Sequence, residues 1–414
     1  MGEGPVQMGE TAGALWRNRD FTLLWAGDTL SQFGSQATTI AMPLLVLFLT
    51  GSAADAGVVG FARGLGYPLS ALPGGALADR VDRRRLMIAC ALARALAMAS
   101  VAIAIALGRP PLAQLILVAL ADAALSTVAM IAERGLLPEV VRPGALPDAV
   151  AANEARMAVA VIGGPPLGGA LYGLARGLPF AADAVSFLAV ALAALGIHAR
   201  PALPARDLGQ SPAAAIREGL AWLWSVPFLR DGSMLYAAAN LTLFAVELLG
   251  VLIARHHGAS SAAVGVAFAI VGAGGVLSTL IAGWLRRHLT PRSAVLSEVW
   301  FAVICVPALL LCRSALAVGV VLGIQFLPLA LSSSVVVGGR LALTPSHLRG
   351  RVQASAAFIS GAVAWAGPLA IGLLFQNAGE TSTVLALFGW TALVAVGGTL
   401  SRGFRQVPAG IGGG

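Results

Sequence analysis

Lysine is absent from the 414 residues, so all 27 basic side chains are arginine and the net charge of +8 rests on guanidinium groups alone. Charge of either sign is scarce: 11% of residues are charged, against about 25% in a soluble domain. With 58% apolar residues and a mean hydropathy of +0.85, a water-soluble fold is excluded, because no soluble core absorbs that much apolar surface. Cysteine is rare too. Cys90, Cys305 and Cys312 lie inside or at the edges of apolar runs without CxxC spacing, which excludes a disulfide framework and a zinc site and reads as packing. The five histidines, at 198, 256, 257, 288 and 347, fall in loops or at helix ends, and the adjacent pair reads as a wetted loop. No P-loop, nucleophile elbow, HExxH or dinucleotide fingerprint occurs, so the sequence supports neither ATP-driven work nor ordinary hydrolysis, and implies no metal or cofactor. The first 20 residues hold no apolar run, so no cleaved signal peptide is expected and the first apolar segment is itself the targeting signal.

What the chain does have is long apolar runs. A membrane-crossing helix needs about 20 apolar residues. Runs between charged or Pro/Gly punctuation fall at 21–50, 54–78, 84–107, 110–133, 149–175, 178–197, 231–254, 260–285, 292–312, 315–340, 352–376 and 383–401, predicting twelve transmembrane helices. The only long polar stretch, His198 to Arg230, divides them six and six. The expected organisation is a bundle over 1–197, a cytoplasmic linker over 198–230, and a second bundle over 231–414 ending in a short cytoplasmic tail. Within the linker, 213–225 has the pattern of an interfacial amphipathic helix, with Ile216, Leu220, Leu223 and Trp224 on one side and Arg217 and Glu218 toward the other.

The arginines report topology. With a cytoplasmic N-terminus, only Arg109, Arg176, Arg255 and Arg313 lie in outside loops, Arg63, Arg94 and Arg156 lie within the membrane, and the other 20 lie in inside loops or tails. By the positive-inside rule both termini are cytoplasmic. Arginines placed at the ends of apolar runs, rather than as one stripe on a polar domain, give no nucleic-acid surface. The halves also echo each other. GALADRVDRR at Gly75 returns as GWLRRHLTPR at Gly283, 208 residues on, and Gly164-Pro165 returns as Gly367-Pro368, 203 residues on, which points to duplicated halves.

Gly75, Asp79, Arg80, Arg83 and Arg84 form the pattern G-x-x-x-D-R-x-x-R-R between the second and third segments. This resembles the signature loop of the major facilitator superfamily, with Asp82 where the family has a glycine. The resemblance implies the family's all-α fold: twelve transmembrane helices in two six-helix pseudo-symmetric bundles. Gly75 would permit close helix contact, and Asp79 would meet the positive N-terminus of a helix in the other half, near the start of the eleventh segment, as a conformational latch. Gly164, Pro165, Gly168 and Gly169 in the fifth segment resemble a motif of the superfamily's antiporters and are read as a gate in a bent, closely packed helix. The stretches at 18–38, 43–53, 216–230 and 344–354 are similar to the exporter branch that includes the enterobactin exporter and macrolide efflux proteins. That branch implies a multi-pass protein of the bacterial inner membrane acting as a monomer.

Ionisable groups inside hydrocarbon cost several kcal/mol and are functional candidates. By resemblance, the first, fourth, seventh and tenth segments line a central cavity. Asp28, Gln32 and Gln36 recur every fourth residue and make one polar stripe on the first segment. Gln32, Gln36, Asn240 and Gln325 are the substrate-cavity candidates, and Asp28, Asp122 and Glu247 the proton-coupling candidates. Arg94 lies 15 residues before Arg109 and Asp122 13 after it, so their depths differ by about 3 Å and a buried ion pair is expected. Asp28 has no sequence-local cation, although Arg156 lies at similar depth in the fifth segment.

The expected function is a secondary transporter, not an enzyme, that exports a small amphipathic drug, siderophore or secondary metabolite by alternating access with proton antiport. Its partners are the substrate, protons and the bilayer. Two alternatives stand beside it: a lipid or lysophospholipid flippase of the same fold, and a membrane-bound lipid-modifying enzyme. Only the Asp79-x-x-Asp82 spacing speaks for the enzyme, and no further acidic cluster accompanies it.

Overall fold

Asn18 starts the first long helix by accepting from the backbone N–H of Asp20 and Phe21 through its Oδ1, which satisfies two donors that no earlier helical turn can. The computed structural model of the protein describes residues 15–78, 80–198 and 212–405. Its main helices are α1 (Arg19–Thr50), α2 (Ala53–Ala78), α3 (Arg83–Ala106), α4 (Leu112–Val140), α5 (Leu146–Leu174), α6 (Leu178–Leu195), α7 (Pro212–Ser225), α8 (Pro227–His256), α9 (Ser261–His288), α10 (Pro291–Ala308), α11 (Ala315–Gln325), α12 (Leu329–Leu343), α13 (Arg349–Gly361), α14 (Ala366–Leu400) and α15 (Arg402–Arg405). No strand occurs among the described residues. Among the described residues, ten helical stretches are long and apolar enough to cross a membrane. Many of their large apolar side chains point outward, including Leu96, Leu117, Leu192, Leu280, Ile304 and Leu393, each at least 65% exposed. Such a surface is stable only against lipid.

Local chemistry sets the helix starts. Asp82 caps α3 by accepting from the Arg85 N–H at 3.1 Å, and Ser260, Thr290 and Ser314 cap α9, α10 and α11 in the same way. Asp82 therefore performs a helix-start task that glycine does less well. Its φ of −52° needs no glycine.

Three expectations for helix boundaries change. The run expected as one helix over 315–340 is interrupted, with α11 ending at Gln325 and α12 starting at Leu329 after Pro328, which lacks the N–H a continuous helix needs there. The run expected to start at 352 begins earlier, as α13, and stops at Gly361. The expected break between 376 and 383 is a single residue, Gly379, whose φ of +77° and ψ of 179° divide α14. Arg340, expected in an inside loop, is a buried residue of α12 with 7% exposure.

Contacts sort the chain into two units. The first holds the described residues of Met1–Met42 and Leu65–Ala205. Its core combines Phe21, Leu24, Leu86, Met87, Cys90, Leu136 and Leu137 from α1, α3 and α4. Small residues let its helices touch: Gly66 lies against Ala123, Gly27 against Val190, and Gly168 against the backbone of Ala37.

The second unit holds the described residues of Pro43–Gly64 and Arg206–Gly414. There the first half of α2 packs on α14, with Gly57 against Gly372 and the Phe61 ring 5.1 Å from the Trp365 ring, edge to face. Its core gathers Phe228, Leu229, Val295, Val299, Val336, Val352 and Phe404. The amphipathic α7 belongs to this unit. Leu223 is fully buried and Gly219 lies against Arg351 and Ser355 of α13, while Trp224, expected on the same apolar face, is 48% exposed. The side chain of Ile216 lies outside the described residues.

Candidate functional site

Within the first unit, α1, α3, α4, α5 and α6 enclose a cavity of about 710 Å3. That is within the range of small-molecule sites. Its wall alternates apolar and polar groups: Met87, Met130, Met157 and Phe187 stand beside Asp28, Gln32, Arg94, Glu133, Asn153 and Arg156. Methionine and phenylalanine offer adaptable apolar contact, and charged groups there face water or ligand rather than lipid.

Two charge clusters organise the wall. In one, Arg94 Nε donates to Asp122 Oδ1 at 2.7 Å and its Nη2 donates to Ser35 Oγ at 3.2 Å, while its guanidinium lies 4.0 Å from the centre of the Phe187 ring. In the other, Arg156 stands between two acids. Its Nη1 is 3.2 Å from Asp28 Oδ2 and its Nη2 donates to Glu133 Oε1 at 3.1 Å. The contact to Asp28 lacks hydrogen-bond alignment, so Asp28 Oδ2 remains without a hydrogen-bonding partner. Asp28 has no sequence-local cation, and the fold supplies Arg156 from α5.

The polar stripe of α1 divides. Asp28 and Gln32 line this cavity, whereas Gln36 packs its side chain against Gly164 of α5. The reason is close approach: Gly163 meets Phe33, Gly164 meets Gln36, and Gly168 meets Ala37, so the seam between α1 and α5 takes Gln36 out of the wall. Gly164, Pro165, Gly168 and Gly169 are all buried in that seam, and α5 stays helical through both prolines.

Of the signature-loop residues, Asp79 lies outside the described residues. Arg83 Nη1 donates to Glu139 Oε1 at 2.5 Å and to Gly135 O at 3.0 Å, and Arg84 Nε donates to Ala194 O at 2.6 Å. These two arginines fasten the start of α3 to the ends of α4 and α6. Arg80 is exposed. Among the described residues nothing lies within 4 Å of the place a Cβ would take at Gly75, so the close helix contact expected there is not found.

The remaining expected residues sit in the second unit. Asn240 Nδ2 donates to Ser360 O at 2.9 Å, joining α8 to α13. Gln325 lines a smaller cavity of about 40 Å3 with Glu298, Thr242 and Thr391, and its Oε1 is buried without a partner. Glu247 has Arg63 as its electrostatic neighbour. At the helix ends, His257 Nε2 lies 3.3 Å from Glu380 Oε2, and no group of three or more potential metal ligands occurs among the described residues.

Three acids were not singled out from sequence: Glu133, Asp183 and Glu298. Glu133 precedes Arg134 at the end of an apolar run and reads as a helix-end charge, although α4 continues two turns beyond it. Asp183 stands near the start of its run, and Glu298 near the start of another. The signal was present, since an acid inside an apolar run is a candidate wherever in the run it falls.

A model of the Major Facilitator Superfamily matches residues 24–372. The multidrug efflux pump Tap of Mycobacterium tuberculosis is 28% identical over 397 residues, covering 92% of this chain and 93% of that protein. The protein of the same name from Mycolicibacterium fortuitum is 29% identical over 380 residues, covering 86% and 88%. Among solved structures, the nucleoside transporter NupG matches with a TM-score of 0.72 at 14% identity, covering 94% of this chain and 100% of that one. A bacterial homologue of the iron transporter ferroportin matches with a TM-score of 0.71 at 18% identity, covering 92% and 98%. With a family match over most of its length, an all-helical fold and a charged cavity walled by apolar helices, this chain belongs to the Major Facilitator Superfamily and is a multi-pass membrane transporter, not an enzyme.

Proposed function

We propose that the protein exports a small amphipathic molecule from the cell by alternating access, in exchange for protons. The observation that carries this reading is the cavity of about 710 Å3 in the first unit, whose wall mixes methionine and phenylalanine with ionisable side chains. Such a wall suits ligands that carry both an apolar body and a charge. The relatives named as multidrug efflux pumps, aligned over most of both chains, support the outward direction.

In this reading α2 is counted as a membrane span and the stretch from Ser346 to Leu400 is divided at Gly379, which makes twelve spans. They form a bundle over 1–197 and another over 231–414, joined by the cytoplasmic linker 198–230. The protein works as a monomer in the bacterial inner membrane with both termini inside. Asp79 latches one conformation and Gly164 to Gly169 form a flexing seam in α5. Gln32 contacts the substrate directly, while Asn240 and Gln325 act from the second unit. Asp28, Asp122 and Glu247, each with an arginine nearby at Arg156, Arg94 and Arg63, are the acids of the proposed proton path.

The test is a proteoliposome assay with the purified chain, an imposed proton gradient and a panel of lipophilic cations, zwitterions and anions. Accumulation of a panel compound that requires the gradient and collapses with a protonophore is the expected result. Movement of labelled phospholipid without gradient dependence, and of no panel compound, overturns the reading in favour of a flippase.

A further inference from the structure

Asp183 of α6 is completely buried, with 0% exposure, in a chain whose helices cross a membrane. No arginine or histidine forms an ion pair with it among the described residues. Its carboxyl oxygens meet two hydroxyls: Oδ2 lies 3.0 Å from Thr38 Oγ1 of α1, and Oδ1 lies 3.2 Å from Ser186 Oγ of its own helix. A hydroxyl has one proton to donate. Ser186 Oγ lies 2.7 Å from the backbone oxygen of Asp183, closer than to the carboxyl, and directs its proton there. Thr38 Oγ1 has the backbone oxygens of Ser35 at 3.1 Å and Gly34 at 3.2 Å as rival acceptors. The site therefore offers a carboxylate one hydroxyl donor, Thr38, and no ion-pair partner, whereas a carboxyl that carries its own proton donates from Oδ2 to Thr38 Oγ1 and frees that hydroxyl for a backbone oxygen.

The charge count agrees. The charged groups around Asp183 are Arg94 of α3 and Asp122 of α4. α1 contributes Gly34, Ser35 and Thr38, and α6 contributes Ser186 and Phe187, none of them ionisable. Arg94 is committed to Asp122 and Ser35 and lies against Phe187. One guanidinium and two carboxylates would leave a net negative charge on a buried cluster, which costs several kcal/mol. A proton on Asp183 makes the cluster neutral.

We propose that Asp183 is the proton-binding site of the first unit, a role that rests on the antiport reading above and names the residue that would carry it. The proton sits on Oδ2 and, on release, ends on water as hydronium. The carboxylate left behind draws Arg94 into sharing between Asp122 and Asp183. Arg94 and Phe187 both line the cavity, and Phe187 is one helical turn from Asp183, so gain and loss of the proton reshape the wall that contacts substrate.

Infrared difference spectra of the detergent-purified protein between acidic and alkaline buffer test this without any transported substrate. The wild type should show the carbonyl band of a protonated carboxyl that disappears in alkaline buffer. Asp183→Asn, which keeps the neutral shape and should fold, removes that band, and Asp183→Glu restores one at a shifted frequency. Asp28→Asn and Glu247→Gln leave it in place. A band that survives in Asp183→Asn, or no titrating band in the wild type, overturns the assignment. If Asp183→Asn does not accumulate, Asp183→Glu alone decides, because a band that does not shift belongs to another carboxyl. A titrating Asp183 band together with gradient-independent transport in proteoliposomes would leave the proton site standing and remove the antiport reading instead.

Discussion

Arg156 Nη1 stands 3.2 Å from Asp28 Oδ2, and the same guanidinium holds Glu133 through its other terminal nitrogen, so one cation from α5 joins α1 and α4 on the cavity wall. Arg156→Gln leaves two buried acids facing each other without a counter-charge. A loss of about 3–5 kcal/mol is expected. Asp28→Asn should cost less, since Glu133 still neutralises the arginine. Thermal melting of the purified proteins in detergent checks the order, and an Arg156→Gln protein that melts like the wild type contradicts it.

Arg94 and Asp122, 2.7 Å apart, form the other pair. Either single neutralisation, Arg94→Gln or Asp122→Asn, strands a charge at the helix interior and should destabilise the protein by roughly 3–5 kcal/mol. The double variant should be less damaged than the sum of the two. Stabilities of all four proteins give the coupling directly, and additive losses would mean that the contact carries no interaction energy.

The seam between α1 and α5 depends on the absence of side chains. A Cβ at Gly168 would run into the backbone of Ala37, which cannot rotate away, so Gly168→Ala should cost about 1–3 kcal/mol and Gly168→Val more. Gly283 in α9 has open space around it, and Gly283→Ala should be neutral or slightly stabilising because alanine favours the helix. Accumulation in membranes and melting temperature compare the two; equal effects would remove the packing role of Gly168.

The loop before α3 holds two acids with separable tasks. Asp82 accepts from the Arg85 N–H, so Asp82→Ala should cost about 1 kcal/mol of stability with little change in transport. Asp79→Asn should do the reverse, lowering whole-cell efflux of a compound identified by the panel while the amount of protein in the membrane stays near wild type. Normal efflux by the Asp79→Asn protein would end its role as a latch.

Helix content was legible because crossing hydrocarbon requires about 20 apolar residues in a row, a demand written locally along the chain. The pairing of Arg94 with Asp122 was legible too, since both sit at counted distances from one hairpin, and a helix converts residue number into depth. Depth alone did not give the azimuth of Gln36. A stripe repeating every four residues drifts around the helix, and which part of it faces a cavity depends on the neighbour that packs closest.

By itself, then, the sequence determined that the chain crosses a membrane many times and that most of its arginines fall at the ends of apolar runs. These follow from transfer free energies of single residues and need no partner. Only the tertiary structure decided that Arg156 meets both Asp28 and Glu133. Arg156 could have remained alone, and Asp28 with it, had α5 not been brought against α1 by Gly164 and Gly168. Asp183 owes its isolation to Gly34, whose missing side chain leaves room for its carboxyl, and to Arg94 being engaged elsewhere. Electrostatic energy between buried groups falls with distance across helices and not along the chain, so it is fixed by packing.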